Sequence, residues 1–172
     1  DEATVYRVFE VLNSRGLDVR WIDKTKSQML ASIYEHAQED AREDGAREMR
    51  RIWGRIFHDL GLRLELGNEA LRFAGTLSIP DRPNRVAREE DASVALVKRG
   101  GTEISTIVKS ANWLHKVVKQ VVALDKDARK NAVTKIVHAR FLAVSIKLRG
   151  FPEHVEAELL DRWEHVTFRI FG

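Results

Sequence analysis

The residues best suited to bind a ligand lie between Asn13 and Lys26, where a first apolar helix gives way to polar side chains. Asn13 and Ser14 can end a helix through local side-chain hydrogen bonds, and Gly16 permits the turn that follows. Arg15 then projects from this turn. An amide, a hydroxyl and a guanidinium presented together can hold a phosphate group, but helix caps of this composition are also frequent where no ligand binds. Both interpretations stay open on these residues alone.

The other polar residues form no recognisable catalytic or metal-binding motif. The six histidines show no His-Glu-x-x-His spacing, the chain has no cysteine, and Gly100-Gly101 lacks the Lys-Ser/Thr of a phosphate-binding loop. His138 falls in an apolar segment, where a hydrogen-bonded core histidine is expected rather than a ligand. The sequence therefore predicts no metal site and no catalytic residue.

Positive charge is concentrated in the second half of the chain. The whole sequence has a net charge of +3, but residues 109–149 contain ten Lys or Arg and two Asp, a net charge of +8. Such a segment attracts nucleic-acid phosphates, and it is equally typical of the solvated face of two helices. The side chains that would contact DNA are Lys109, Lys116, Lys119, Lys126, Arg129 and Lys130.

The stretch VFEVLNSRGLDVRWIDKTKSQML resembles a signature of the GmrSD-type restriction endonuclease family, also called domain-of-unknown-function family 262. The matching positions are Phe9, Leu12, Asn13, Gly16, Val19, Asp23 and Lys26. The stretches RIWGRIFHDLGLR, ALRFAGTLSIPDRP and LLDRWEHVTFRIFG also resemble the helical part of one branch of this family. The resemblance thus covers most of the chain, and its specific part is the first thirty residues.

The resemblance implies a nucleotide-dependent nuclease that targets modified DNA in bacterial anti-phage defence. It implies that Asn13 and Arg15 face a nucleotide site, that Asp23 and Lys26 support this loop or contact phosphate, and that the parent protein uses an NTP, with or without Mg²⁺. The family's upstream Asp-Gly-Gln-Gln-Arg motif and its downstream nuclease motif are both missing from this sequence. The chain is therefore expected to be an inactive fragment whose partners are the missing nucleotide-binding and nuclease regions.

Two other functions stay open. The apolar stretch VTFRIFG is typical of a non-catalytic interaction module that packs on another domain or on a second copy of the chain. The basic segment by itself would suit a small nucleic-acid-binding bundle. No apolar run approaches the roughly 20 residues of a membrane span, and no signal-peptide pattern opens the chain, so a cytoplasmic protein is expected.

Helical periodicity dominates the chain and predicts an all-α fold, an irregular bundle of about seven helices in one domain over residues 1–172. Residues 1–26 are expected to form the edge of the nucleotide-binding region. The charged segment 38–48, with Asp44-Gly45 in its middle, is expected to be an exposed connection. Residues 78–88 contain two prolines and are expected to form a loop.

Three finer expectations concern the arrangement of the helices. Residues 131–148 are apolar on most of their circumference and are expected at the centre of the bundle. Asn68 is expected to cap the helix that contains Leu71 and Phe73. Pro152 is expected at the start of the last helix, where a proline costs no hydrogen bond.

Overall fold

A computed structural model describes residues 19–81, 83–133 and 135–171, and within them the chain forms eight α-helices and no strand. The all-α prediction is confirmed. The helices are α1 (Trp21–His36), α2 (Glu39–Leu60), α3 (Glu65–Thr76), α4 (Glu89–Gly100), α5 (Ile104–Lys126), α6 (Ala128–Val133), α7 (Val137–Leu148) and α8 (Glu153–Phe171). The first helix expected from the sequence lies outside the described residues.

Helix α5 is the centre of the bundle. It packs against α1, α2, α3, α4, α6 and α7, and its buried side chains include Leu114, Val118 and Val121. The prediction that residues 131–148 would be central is therefore wrong. This segment is divided between α6 and α7, and α7 is covered by α5 and α8 on two sides. Helix α7 also contacts α3 through Arg140 and Phe141, and on its outer side Leu142 is 53% exposed.

The charged segment 38–48 belongs to a helix and is not a connection. Helix α2 begins at Glu39 and continues through Asp44 and Gly45 without a break. Gly45 is buried against the start of α5, where a Cβ atom at residue 45 would lie 3.0 Å from Ile104 Cγ2. The glycine therefore permits a close contact between two helices, while most of the charged side chains around it stay in solvent.

Helices α2 and α5 run in the same direction. Residues early in α2 contact residues early in α5, as Gly45 does with Ile104, and residues late in α2 contact residues further along α5, as Asp59 does with His115. The exposed residues of the two helices therefore lie side by side on one surface of the bundle.

Helices α3 and α4 make the tightest contact in the described part of the chain. A Cβ atom at Gly75 would lie 2.4 Å from both Cα and Cβ of Ala92. Real carbon atoms do not approach this closely, because nonbonded carbons are in optimal contact at about 3.5–4.0 Å. Glycine is therefore required at residue 75 for α4 to lie where it does.

The connection that follows α3 contains no helix in its described residues, 77–81 and 83–88. Two hydrogen bonds hold its end against α3. The Ala87 amide donates to Thr76 Oγ1 over 2.9 Å, and Arg72 Nε donates to the Ala87 carbonyl over 3.0 Å. These bonds bring the chain back towards α3 just before α4 begins.

The start of α1 is capped by a residue of a different helix. Asn68 Oδ1 accepts a hydrogen bond of 3.3 Å from the amide of Ile22, in the first turn of α1. The prediction that Asn68 caps its own helix is wrong, because α3 begins at Glu65 and Asn68 lies inside its first turn. The first amides of a helix lack intrahelical acceptors, and here α3 supplies one to α1.

A buried arginine fastens α7 to the bundle. Arg140 is 5% exposed, and its guanidinium donates to both carboxylate oxygens of Glu69 in α3, over 2.6 and 3.1 Å. A third bond of 3.0 Å runs from Arg140 to Asn131 Oδ1 in α6. The charge is thus paired and hydrogen-bonded on several sides, as burial of a charge requires.

We expect Gly75→Ala to lower the free energy of unfolding by about 3 kcal/mol, because the added methyl group must push α4 away from α3. The matched control is Gly54→Ala in α2, where an added Cβ has no atom within 4 Å. That change should raise stability by about 0.5–1 kcal/mol, since alanine is the better helix former. Urea unfolding followed by circular dichroism measures both, and equal stability of the two variants would contradict the described contact.

We expect Glu69→Gln to destabilise the protein by about 3 kcal/mol, because it leaves the Arg140 guanidinium buried without a counter-charge. The double variant Glu69→Met with Arg140→Met should recover much of the loss. Glu158→Gln, which removes one partner of the exposed Arg162–Glu158 pair, should change the urea midpoint little. A loss for Glu69→Gln no larger than that for Glu158→Gln would rule out a structural role for the buried pair.

Candidate nucleic-acid interface

Four lysines of α5 lie on one exposed stripe of the helix: Lys109, Lys116, Lys119 and Lys126. We call them the lysine stripe. Their spacing of seven, three and seven residues keeps them within about 100° of the helix circumference, and the stripe is about 26 Å long at 1.5 Å per residue. The opposite side of α5 is buried in the bundle. A ligand in solution can therefore contact this helix on the side that carries the lysine stripe.

None of the four ammonium groups is within ion-pairing distance of a carboxylate in the part of the chain that the structure describes. Helix α5 itself contains a single acidic residue, Asp125, and Arg63 Nη1 donates to that carboxylate. The four lysines of the stripe are therefore not engaged in ion pairs among the described residues.

Arg129 and Lys130, the other two residues predicted to contact DNA, are paired with carboxylates. The guanidinium of Arg129 donates to Glu164 of α8, and this hydrogen bond raises the pKa of Arg129. Lys130 Nζ donates to Asp127, and the Lys130 amide also donates to Asp127, so the pKa of the Asp127 carboxyl is lowered. Both cations already have a carboxylate partner, which leaves the lysine stripe as the free part of the predicted set.

Helix α2 adds an arginine to this surface. Arg55 Nη2 donates to Asn112 Oδ1 over 3.3 Å, and Asn112 lies on the exposed side of α5 between Lys109 and Lys116. Sequence analysis missed Arg55 because the pairing of α2 with α5 is a contact between distant parts of the chain. The sequence did contain a signal for the lysine stripe itself, because spacings of seven, three and seven residues place the four lysines on one side of a helix.

A depression of about 280 Å³ opens where α2 and α5 end, beside the lysine stripe. It is lined by His58, Asp59, Lys119, Val122, Ala123 and Lys126. The Asp59 carboxylate accepts a hydrogen bond of 2.8 Å from His115 Nε2, which satisfies part of its acceptor capacity. The two lysines of the stripe that reach this depression supply positive charge that can attract a phosphate group.

The residues predicted for a nucleotide site are only partly described. Asn13 and Arg15 lie outside the described residues. Asp23 lies in the first turn of α1 and accepts a hydrogen bond of 2.9 Å from Arg20 Nε. Lys26 Nζ is 5.6 Å from the centre of the Phe57 ring in α2. Asp23 therefore has a partner in the residue that precedes α1, and Lys26 has one in α2. Their contact with a phosphate stays a prediction.

Neither a metal site nor a membrane-spanning element is found in residues 19–81, 83–133 and 135–171. No three His, Asp or Glu side chains there come together as metal ligands would, and no helix there has the length and apolarity to cross a bilayer.

No protein-family model matches the chain, and no curated protein or solved structure is significantly similar to it. The lysine stripe, with Arg55 and the adjoining depression, is a candidate interface for an anionic ligand.

We expect Asp127→Ala to destabilise the protein by about 0.5–1 kcal/mol at pH 7, because Asp127 caps the start of α6. The folded-state pKa of Asp127 is lowered, so its contribution is fully present above the ordinary aspartate pKa of about 3.9 and is lost as the pH falls through the lowered value. Urea unfolding of both proteins between pH 3 and 7 measures this. A difference between them that stays constant below pH 4 would contradict the assignment.

Proposed function

We propose that the chain is a non-catalytic helical module that binds the phosphate backbone of duplex DNA along α5, as part of a larger restriction factor of the GmrSD type. The observation that carries the proposal is the lysine stripe, whose four exposed ammonium groups have no carboxylate partner among the described residues. The GmrSD assignment is supported by the resemblance of residues 9–26 to the family signature.

The stripe has the length and the charge that backbone binding needs. About 26 Å along α5 matches the axial rise of seven to eight base pairs at about 3.4 Å each. Every phosphate that a lysine neutralises releases condensed counterions from DNA, and this release provides most of the free energy of non-specific binding. No internal salt bridge has to be broken first, since none engages these lysines in the described structure.

The kind of side chain on the stripe predicts low sequence specificity. A lysine ammonium is a point charge on a flexible stem and contacts phosphates without reading base edges. Arg55, a guanidinium next to the stripe, is hydrogen-bonded to Asn112. We therefore assign backbone binding to this module and leave recognition of a DNA modification to other regions of the parent protein.

We expect the chain to bind a fluorescein-labelled 20-base-pair duplex with an affinity that falls steeply between 50 and 300 mM NaCl. Four phosphate contacts correspond to a slope of roughly −3.6 in a plot of log affinity against log salt. Lys116→Gln should weaken binding roughly 5- to 10-fold near 0.1 M salt and reduce the slope by about 0.9. Fluorescence anisotropy measures both quantities.

The matched control is Lys130→Gln, which removes the same charge from a lysine that is already paired with Asp127. For this variant, the slope of log affinity against log salt concentration should equal that of the unsubstituted chain. Absence of binding at 50 mM NaCl, or equal effects of Lys116→Gln and Lys130→Gln, would refute the proposed interface.

The assignment to a restriction factor has a separate test, which is the coding sequence on either side of this chain. We expect an Asp-Gly-Gln-Gln-Arg motif upstream of Asp1. An upstream region without that motif would remove the GmrSD part of the proposal and leave the DNA-binding part to be judged by the salt titration.

A further inference from the structure

Helix α8 is attached to the bundle by one side. It packs on α6 and α7, and on that side Leu160, Trp163 and Thr167 are buried. Trp163 Nε1 donates a hydrogen bond of 2.8 Å to the carbonyl of Ala139 in α7, which fixes the rotation of α8 about its own axis. The residues on the rest of its circumference are consequently presented to solvent in a defined arrangement.

Next to the buried side, α8 carries an apolar stripe that consists of Val155, Leu159, Val166 and Ile170. Spacings of four, seven and four residues keep the four side chains within about 60° of one another around the helix. Val166 is 54% and Ile170 is 63% exposed, and Val155 and Leu159 are partly exposed. The bundle partly covers Val155 and Leu159 and leaves Val166 and Ile170 largely exposed. A row of exposed apolar side chains of this kind marks a contact site.

The charges of α8 are divided between its two halves. Residues 153–161 contain four acidic residues and no Lys or Arg, a net charge of −4, whereas residues 162–171 contain two arginines and one glutamate, a net charge of +1. Two copies of α8 placed side by side in parallel would bring the acidic halves together. In the antiparallel arrangement each acidic half meets the positive half of the other copy, and the helix dipoles also attract.

We propose that α8 is a dimerisation helix, and that it pairs in antiparallel fashion with α8 of a second copy of this chain. The spacing of the four residues in the α8 stripe, four, seven and four, is symmetric about the middle of the stripe. The stripe therefore matches itself after a two-fold rotation, as an isologous interface requires. In the matching register Leu159 faces Val166 of the second copy, and Val155 faces Ile170. The two-fold axis then passes close to Arg162.

A specific cross-pair accompanies this register. Glu158 of one copy lies next to Arg169 of the other, at the solvent side of the α8 stripe. Arg169 has no ion-pair partner within the described residues, and Glu158 is bonded to Arg162 in an exposed pair that costs little to rearrange. The interface is small, so we expect a reversible dimer with a dissociation constant on the order of tens of micromolar.

The first test is sedimentation velocity over a protein concentration range of about 5 to 500 μM, in 0.15 M NaCl and without DNA. The unsubstituted chain should pass from monomer to dimer, and Val166→Glu should stay monomeric throughout. The matched control is Phe168→Glu, because Phe168 is 64% exposed but lies on the opposite side of α8 from the stripe. This control should dimerise like the unsubstituted chain, and circular dichroism verifies that both variants are folded.

A charge-reversal cycle tests the antiparallel register. Glu158→Arg and Arg169→Glu should each weaken dimerisation several-fold, and the double variant should restore it. Lys116→Gln, on α5, should leave dimerisation unchanged, so that failure of DNA binding and failure of dimerisation are told apart. A chain that is monomeric at all concentrations, or that loses dimerisation equally with Val166→Glu and Phe168→Glu, overturns the proposal.

Discussion

The absence of a side chain at Gly75 fixes the positions of three other helices. Because α3 and α4 touch there, Ala92 lies against the backbone of α3. Ser93, the next residue, then reaches α1, where its hydroxyl is hydrogen-bonded to that of Thr25 over 2.8 Å in the fully buried interior. One turn further along, a carbonyl of α4 accepts a bond of 2.8 Å from Ser110 of α5. Polar groups this deeply buried must be paired, so a wider spacing at Gly75 would cost several contacts together.

The central position of α5 determines the electrostatics of the surface. A helix that is packed by six neighbours has little circumference left for solvent, and its charged residues must share that remainder. The lysines are therefore collected on one line, although nothing in their own interactions favours being close together. The parallel course of α2 places Arg55 beside the same line. Packing of apolar side chains thus produces a concentration of charge that the net charge of +3 does not reveal.

The sequence was sufficient for local structure and insufficient for contacts between distant segments. Periodic apolar residues predicted the helices, since each must bury one face. The roles of Gly45 and Asn68 were predicted wrongly, because their partners, Ile104 and Ile22, are far away in the chain. For the candidate site, the charge count located the basic segment. Which of its cations are neutralised depends on where α8 and α6 lie, and Arg129 shows this through its bond to Glu164.

The cap that Asn68 supplies makes the first turn of α1 part of a cooperative unit with α3. An isolated helix frays at its ends, because its terminal amides exchange protein acceptors for water at little cost. The Ile22 amide has an acceptor only while α3 is docked, and the Ile22 side chain is fully buried in the same core. Opening of this turn therefore breaks a contact with α3 and exposes the Ile22 side chain to water. The described residues just before α1, Val19 and Arg20, are in consequence joined to a turn that packing and a hydrogen bond hold against another helix.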